Sequence, residues 1–174
     1  MIVEGFEIAD RYTNPVLIAA DGMLGQMMEP VTLPSMDKEY SLEKILKTKP
    51  WALTGHKNKR ERNVIKSVYL KQELLEEHIL KIFEKYDKAV KELPSFEEVD
   101  LKDAEIVYVA FGTTSRMVKE AMELLKEKGV KTGLIRPKTL WPFPREAFDG
   151  IDKSTKMVVS CELSMGQMID DVKL

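Results

Sequence analysis

The sequence predicts an α/β fold built on a parallel sheet. Two observations carry this. From Ala104 onward, short β-branched runs alternate with a strongly periodic helix, and 44% of the 174 residues are apolar, enough to bury one ordinary domain. Taken in order, Val3 to Tyr12, with Phe6, Ile8, Ala9 and Tyr12 apolar, reads as the end of a short helix, and Pro15 to Ala20 as a buried-type strand. Pro30, Pro34 and Pro50 then punctuate an irregular stretch with one short helix near Ser41 to Lys47, whose Ser41 and Glu43 suit a first turn. Gln72 to Leu93 is the clearest helix, because Leu75, Ile79, Ile82, Phe83, Tyr86, Ala89, Val90 and Leu93 recur every three or four residues and Pro94 follows its end. It is expected to brace a linker between two domains.

Glu105 to Phe111 is a continuous β-branched and aromatic run, the pattern of a strand covered on both faces. Gly112-Thr113-Thr114-Ser115 turns the chain into a helix through Lys128, with Met117, Val118, Ala121, Met122, Leu124 and Leu125 facing inward and Gly129 ending it. Val130 to Arg136 and Lys156 to Cys161 supply two further strands. Between them lie an irregular crossing from Pro137 to Pro144 and a short helix at Arg145 to Asp149. This βαβαβ order is what makes the sheet parallel, with right-handed crossovers.

Charge and cysteine content exclude several functions. With 27 basic and 29 acidic residues the chain has no overall field for nucleic acid, a membrane or acidic substrates. The one cysteine, Cys161, rules out an internal disulfide, a Cys-only zinc site and any iron–sulfur cluster held by this chain alone, and it points to a reducing, cytoplasmic setting. No apolar run reaches the roughly 18 residues that span a bilayer. His56 and His78 stand far from a second metal ligand, so no metal site is expected. The adjacent pairs Glu76-Glu77 and Glu97-Glu98 are spaced so that neighbours diverge on a helix, which makes them poor acid/base dyads. No GxSxG elbow, Walker loop, HExxH or CxxC occurs.

Two features admit two readings each. The basic run Gly55 to Arg62 suits phosphate or nucleic-acid contact, or a solvated loop or rim facing an acidic partner; the latter is preferred because no aromatic platform accompanies it. The Gly-Thr-Thr-Ser turn suits an anion at a helix N-terminus, or plain capping by Thr114 or Ser115; capping is preferred because the spaced glycines of a dinucleotide site are absent.

The most informative residues are two short segments near opposite ends, Asp21 to Pro30 and Glu162 to Met168, which repeat the same Met, Gly, Gln, Met chemistry after a strand end. A glycine beside a glutamine amide and flexible thioethers admits a close backbone, polar recognition and adaptable apolar contact. Met23, Gly25, Gln26 and Met27, with Met165, Gly166, Gln167 and Met168, are therefore candidate subunit or domain interface residues. Arg136 joins them because it closes a parallel strand at its carboxyl end, and Trp141 because it lies among prolines that hold the segment extended.

These segments, together with Asn14 to Gly22, Trp51-Ala52-Leu53-Thr54-Gly55 and Gly133 to Pro144 (GLIRPKTLWPFP), strongly resemble the alpha subunit of 2-oxoacid:ferredoxin oxidoreductases of the 2-ketoisovalerate and 2-oxoglutarate type. The resemblance covers essentially the whole chain in order. It implies residues 1–30 as the end of a thiamine pyrimidine-binding domain, 31–101 as a linker with a long helix near 72–93, and 102–174 as a transketolase C-terminal-like domain. It further implies oxidative decarboxylation of a 2-oxoacid to acyl-CoA with reduction of ferredoxin. Thiamine diphosphate, magnesium and iron–sulfur clusters are expected in the assembled complex, formed with beta, gamma and delta type subunits, and none is expected on this chain alone. No residue here matches the family's pyrimidine-activating glutamate, and Asp21-Gly22 lacks the paired Asn of its metal-diphosphate motif. Leu174 falls inside a helix that should lead to further strands, so a fragment, a split-gene product or a subunit only partly present is expected. The alternatives are a beta-type component of a lipoamide-linked 2-oxoacid dehydrogenase and a non-catalytic assembly module of the same fold.

Overall fold

The computed structural model describes residues 1–33 and 41–174, and the predicted punctuation at Pro34 lies outside them. The chain divides into two units, residues 1–19 with 28–86, and residues 20–27 with 87–174.

In the first unit, α1 (Ile2–Tyr12) ends at Thr13, whose left-handed backbone returns two amide bonds to the helix. The predicted strand at 15–20 does not form. A strand needs a ladder partner, and Val16 and Ile18 instead lie along α1, where a Cβ on Gly5 would stand 3.1 Å from Ile18 Cδ1. α3 (Leu42–Thr48) starts where predicted, with Ser41 Oγ accepting from the Lys44 amide at 3.2 Å. α4 (Gln72–Glu92) has the predicted length, and its residues 72–86 belong to this unit, where Leu75, Ile79 and Phe83 remain exposed.

The second unit carries α2 (Gly22–Gln26), β1 (Phe96–Val99), β2 (Ile106–Ala110), α5 (Gly112–Glu127), β3 (Thr132–Pro137), a 3-10 turn (Arg145–Phe148), β4 (Met157–Cys161) and α6 (Met168–Lys173). The strands order as β1-β3-β2-β4. β2 pairs in parallel with both β3 and β4, as predicted from the βαβαβ pattern. β1 was not predicted and lies antiparallel on β3, so the sheet is mixed. Its polar sequence is explained by charge: Glu97 stands opposite Arg136 in the ladder and accepts from it at 2.9 Å and from Lys119 of α5 at 2.6 Å. Lys119 first, then Arg136, holds the Glu97 carboxyl below its ordinary range.

β2 is the centre of the core. Val107 and Val109 face one layer with Leu101, Ala104, Ile135, Ala147 and Met168, while Ala110 faces the other with Val118 and Met122 of α5 and Leu134. Each fully buried aliphatic side chain of this kind contributes about 1.5–3 kcal/mol. β4 is an outer strand, which is why Met157 and Val158 stay exposed despite the apolar run. Gly133 of β3 is required by contact, since a Cβ there would meet Asp100 O and Leu101 Cδ2 at 3.0 Å.

Candidate functional site

Parallel strands deliver their following loops to one edge of a sheet. β2 is flanked in parallel by β3 and β4, and the chain runs from β2 to β3 on one side and then to β4 on the other. The carboxyl ends of β2 and β4 therefore form a topological switch point, the place where open α/β sheets present ligands and partners. Ala110 and Cys161 pair at that edge, so Gly112–Ser115 and Glu162 leave from adjacent strand ends.

The N-terminus of α5 is capped from elsewhere in the chain. Thr114 and Ser115 do not cap it; Ser115 Oγ instead donates to Gly112 O at 2.7 Å. The anion at this helix end is the chain's own Asp21. Its Oδ2 accepts from the Thr113 hydroxyl and, at 3.3 Å, from the Thr113 amide, while its Oδ1 accepts from the Leu24 amide of α2 at 2.8 Å. One carboxylate thus terminates two helices. The Thr113 hydroxyl, followed by the Leu24 amide, holds the Asp21 carboxyl below its ordinary range.

Glu162 repeats this arrangement at the other segment. Oε2 accepts from Ser164 Oγ at 2.6 Å and the Met168 amide at 2.9 Å, and Oε1 accepts from the Ile169 amide at 3.1 Å. The Ser164 bond and then the Met168 amide lower its carboxyl below the ordinary range. Each Met, Gly, Gln, Met segment is therefore introduced by an acid that holds the start of a short helix. Sequence reasoning missed both acids as site residues. Asp21 had a readable signal, an Asp three residues ahead of Leu24 at a helix start; Glu162 acts six and seven residues ahead, beyond any local rule.

The ten candidate residues separate in the structure. Met23, Gly25, Gln26 and Met27 are exposed on or beside α2, and a Cβ on Gly25 would meet nothing within 4 Å. Met165 is fully exposed and Gln167 exposed, whereas Gly166 is needed for its backbone, at φ +100°. Met168 is a correction: it is 4% exposed and belongs to this chain's own core, because its apolar side chain falls at the inward position of α6. Arg136 is spent on Glu97, which makes it a sheet brace. Trp141 is 61% exposed, so it does not cover its own core; Phe143 and the fully buried Pro144 do that.

Among the described residues no cluster of three or more His, Cys, Asp or Glu can hold a metal, Asp21 and Glu162 are engaged by helix amides, and burial pushes the lone Cys161 thiol up. No helix among the described residues is long and apolar enough to cross a membrane.

Comparison with known proteins adds the following. Residues 104–174 match the family described as pyruvate:ferredoxin oxidoreductase core domain II. The chain is 37% identical over its full length to the ketoisovalerate oxidoreductase subunit VorB of Methanothermobacter marburgensis, covering 48% of that protein. It is 31% identical over 99% of its length to the 2-oxoglutarate synthase subunit KorA of Archaeoglobus fulgidus, covering 49% of it. The chain thus spans about half the length of these curated relatives. Its fold is similar to that of the solved 2-oxoglutarate:ferredoxin oxidoreductase from Magnetococcus marinus with 2-oxoglutarate, coenzyme A and succinyl-CoA bound. The TM-score is 0.70 at 21% identity, over 98% of this chain and 34% of that one.

Proposed function

We propose that this chain is part of the alpha-type subunit of a 2-oxoacid:ferredoxin oxidoreductase, which converts a 2-oxoacid to acyl-CoA and passes the electrons to ferredoxin. The observation that carries the reading is the similarity, over the full length of this chain and about half of theirs, to oxidoreductase subunits named for ketoisovalerate and for 2-oxoglutarate. The same relatives favour a 2-ketoisovalerate or 2-oxoglutarate substrate over pyruvate. Thiamine diphosphate, magnesium and iron–sulfur clusters are held elsewhere in the assembled complex in this reading. The chain's own part is positioning.

Its working surface is the carboxyl edge of the sheet. Asp21 and Glu162 hold α2 and α6 at that edge, and Met23, Gly25, Gln26, Met27, Met165 and Gln167 stand exposed for a partner subunit. A glutamine amide offers two donors and an acceptor, and methionine adapts to an irregular apolar neighbour. The low cysteine content fits a cytoplasmic complex. Co-purification with the other subunits, followed by reduction of a viologen dye with a panel of 2-oxoacids, tests the reading. Thiamine- and CoA-dependent dye reduction with a branched or dicarboxylic 2-oxoacid is expected. A complex that assembles yet reduces no dye with any 2-oxoacid refutes it.

A further inference from the structure

The basic run at 55–62 is a folded loop. Arg60 donates to Glu61 O at 3.0 Å and to Ala52 O and Gly55 O at 3.3 Å, and Asn63 Nδ2 donates to Pro50 O at 2.6 Å and Ala52 O at 3.1 Å. These bonds fix the loop from within. Three of its residues, Gly55, Lys57 and Asn58, lie in the left-handed region, at φ +79°, +44° and +53°. For Lys57 this is an uncommon backbone, of the kind that persists where the surroundings hold it. The loop encloses an open concavity of about 230 Å³ lined by Leu53, Gly55, His56, Arg60, Arg62 and Asn63.

The charges of this loop are unmatched. Among the described residues, Lys57, Lys59, Arg60 and Arg62 form no ion pair, although lysines elsewhere in the chain pair with nearby carboxylates. Four cations within six residues, against the single Glu61, repel one another. The imidazole of His56 adds a second observation. Its Nδ1 lies 3.1 Å from the Asn58 amide and its Nε2 lies 3.2 Å from Arg62 Nε, and both neighbours are donors. A neutral imidazole has only one acceptor nitrogen, so His56 accepts from one of these two donors and the other faces solvent. The Arg62 guanidinium lines the concavity, held beside His56 through its Nε with its terminal nitrogens facing out.

We infer that the Gly55–Asn63 loop is a binding site for a phosphate-bearing ligand, with Arg62, which lines the concavity, meeting its oxygens, the exposed Lys57 and Lys59 adding positive field from the same loop, and Arg60 and Asn63 holding the loop in shape. A phosphate carries up to two negative charges and several acceptor oxygens, which match a guanidinium fork set among further cations better than a single carboxylate does. The inference does not depend on the oxidoreductase reading. It replaces the solvated-loop reading of the same run.

Titration of the full chain with pyrophosphate, followed by calorimetry and by phosphorus NMR, tests it. Saturable binding at one site is expected, weakened about tenfold by Arg62→Gln and several-fold by Lys59→Gln, with the melting temperature unchanged. The charge-matched variant Lys126→Gln, at the far end of α5, should bind as the parent does. Absence of saturation, or equal loss in that control, overturns the inference. So does binding of polyglutamate without binding of pyrophosphate, which assigns the loop to an acidic protein partner.

Discussion

Gly25→Ala separates what the chain needs from what its assembly needs. Gly25 lies inside α2, its φ is not positive, and an added Cβ would meet nothing within 4 Å. Alanine in a helix is favoured over glycine by about 0.8–1 kcal/mol, so within this chain the substitution is neutral to stabilising. For a chain of this size that corresponds to a rise in melting temperature of about 2–4 °C at most. If the glycine serves close approach of another backbone at the carboxyl edge, the same methyl group must weaken the complex. Thermal melting of the free chain and co-purification with partner subunits are the paired assays. A lower melting temperature would show that the space around α2 is filled within the chain. Unimpaired assembly would remove Gly25 from the interface.

Gly133→Ala should act in the opposite way, lowering stability by about 1–3 kcal/mol, because its Cβ is opposed at 3.0 Å by the Asp100 carbonyl and Leu101; denaturant unfolding measures it, and an unchanged midpoint refutes the contact. Asp21 and Glu162 both have lowered carboxyl pKa values in the folded chain, so their contribution is present above the unfolded values near about 4 and is lost as pH falls through the folded ones. Stability measured from pH 5 down to 2 should therefore fall less steeply in Asp21→Asn/Glu162→Gln than in the parent, and an identical slope counts against the helix-holding role. Gln167→Ala and Trp141→Ala should weaken association with a partner subunit more than they lower the melting temperature, since both side chains are exposed. Equal losses in the two assays would return them to the fold.

What the sequence disclosed follows from how local each cause is. The run Ile106 to Ala110 announces a central strand because both faces are buried and every position selects an apolar residue. Ser41 announces α3 because the bond it makes spans three residues. β1 stayed hidden because Glu97 is matched by Arg136, 39 residues later, and nothing near Glu97 reports that partner. Pro15 to Ala20 looked like a strand for the converse reason: composition records an affinity for a sheet and cannot supply the neighbour that completes the ladder. Within the candidate site, the Met, Gly, Gln, Met repeat was legible as chemistry, but Met168 facing inward and the two acids holding the helices depend on three-dimensional placement.

The bond between Asp21 and Thr113 joins positions 92 residues apart in sequence. A helix of five residues such as α2 does not persist in water by itself, because nucleation fixes several dihedrals before any bond repays them. α2 therefore depends on the β2–α5 junction for its anchor, across a long stretch of chain. A clasp held by one carboxylate has fewer bonds to break than the strand ladder beneath it. The amides of Leu24 and Thr113, which both donate to Asp21, should then exchange with solvent together and well ahead of the Val107 and Val109 ladder. A surface anchored through a single side chain is one that a partner can capture and reorder without disturbing the strands beneath it.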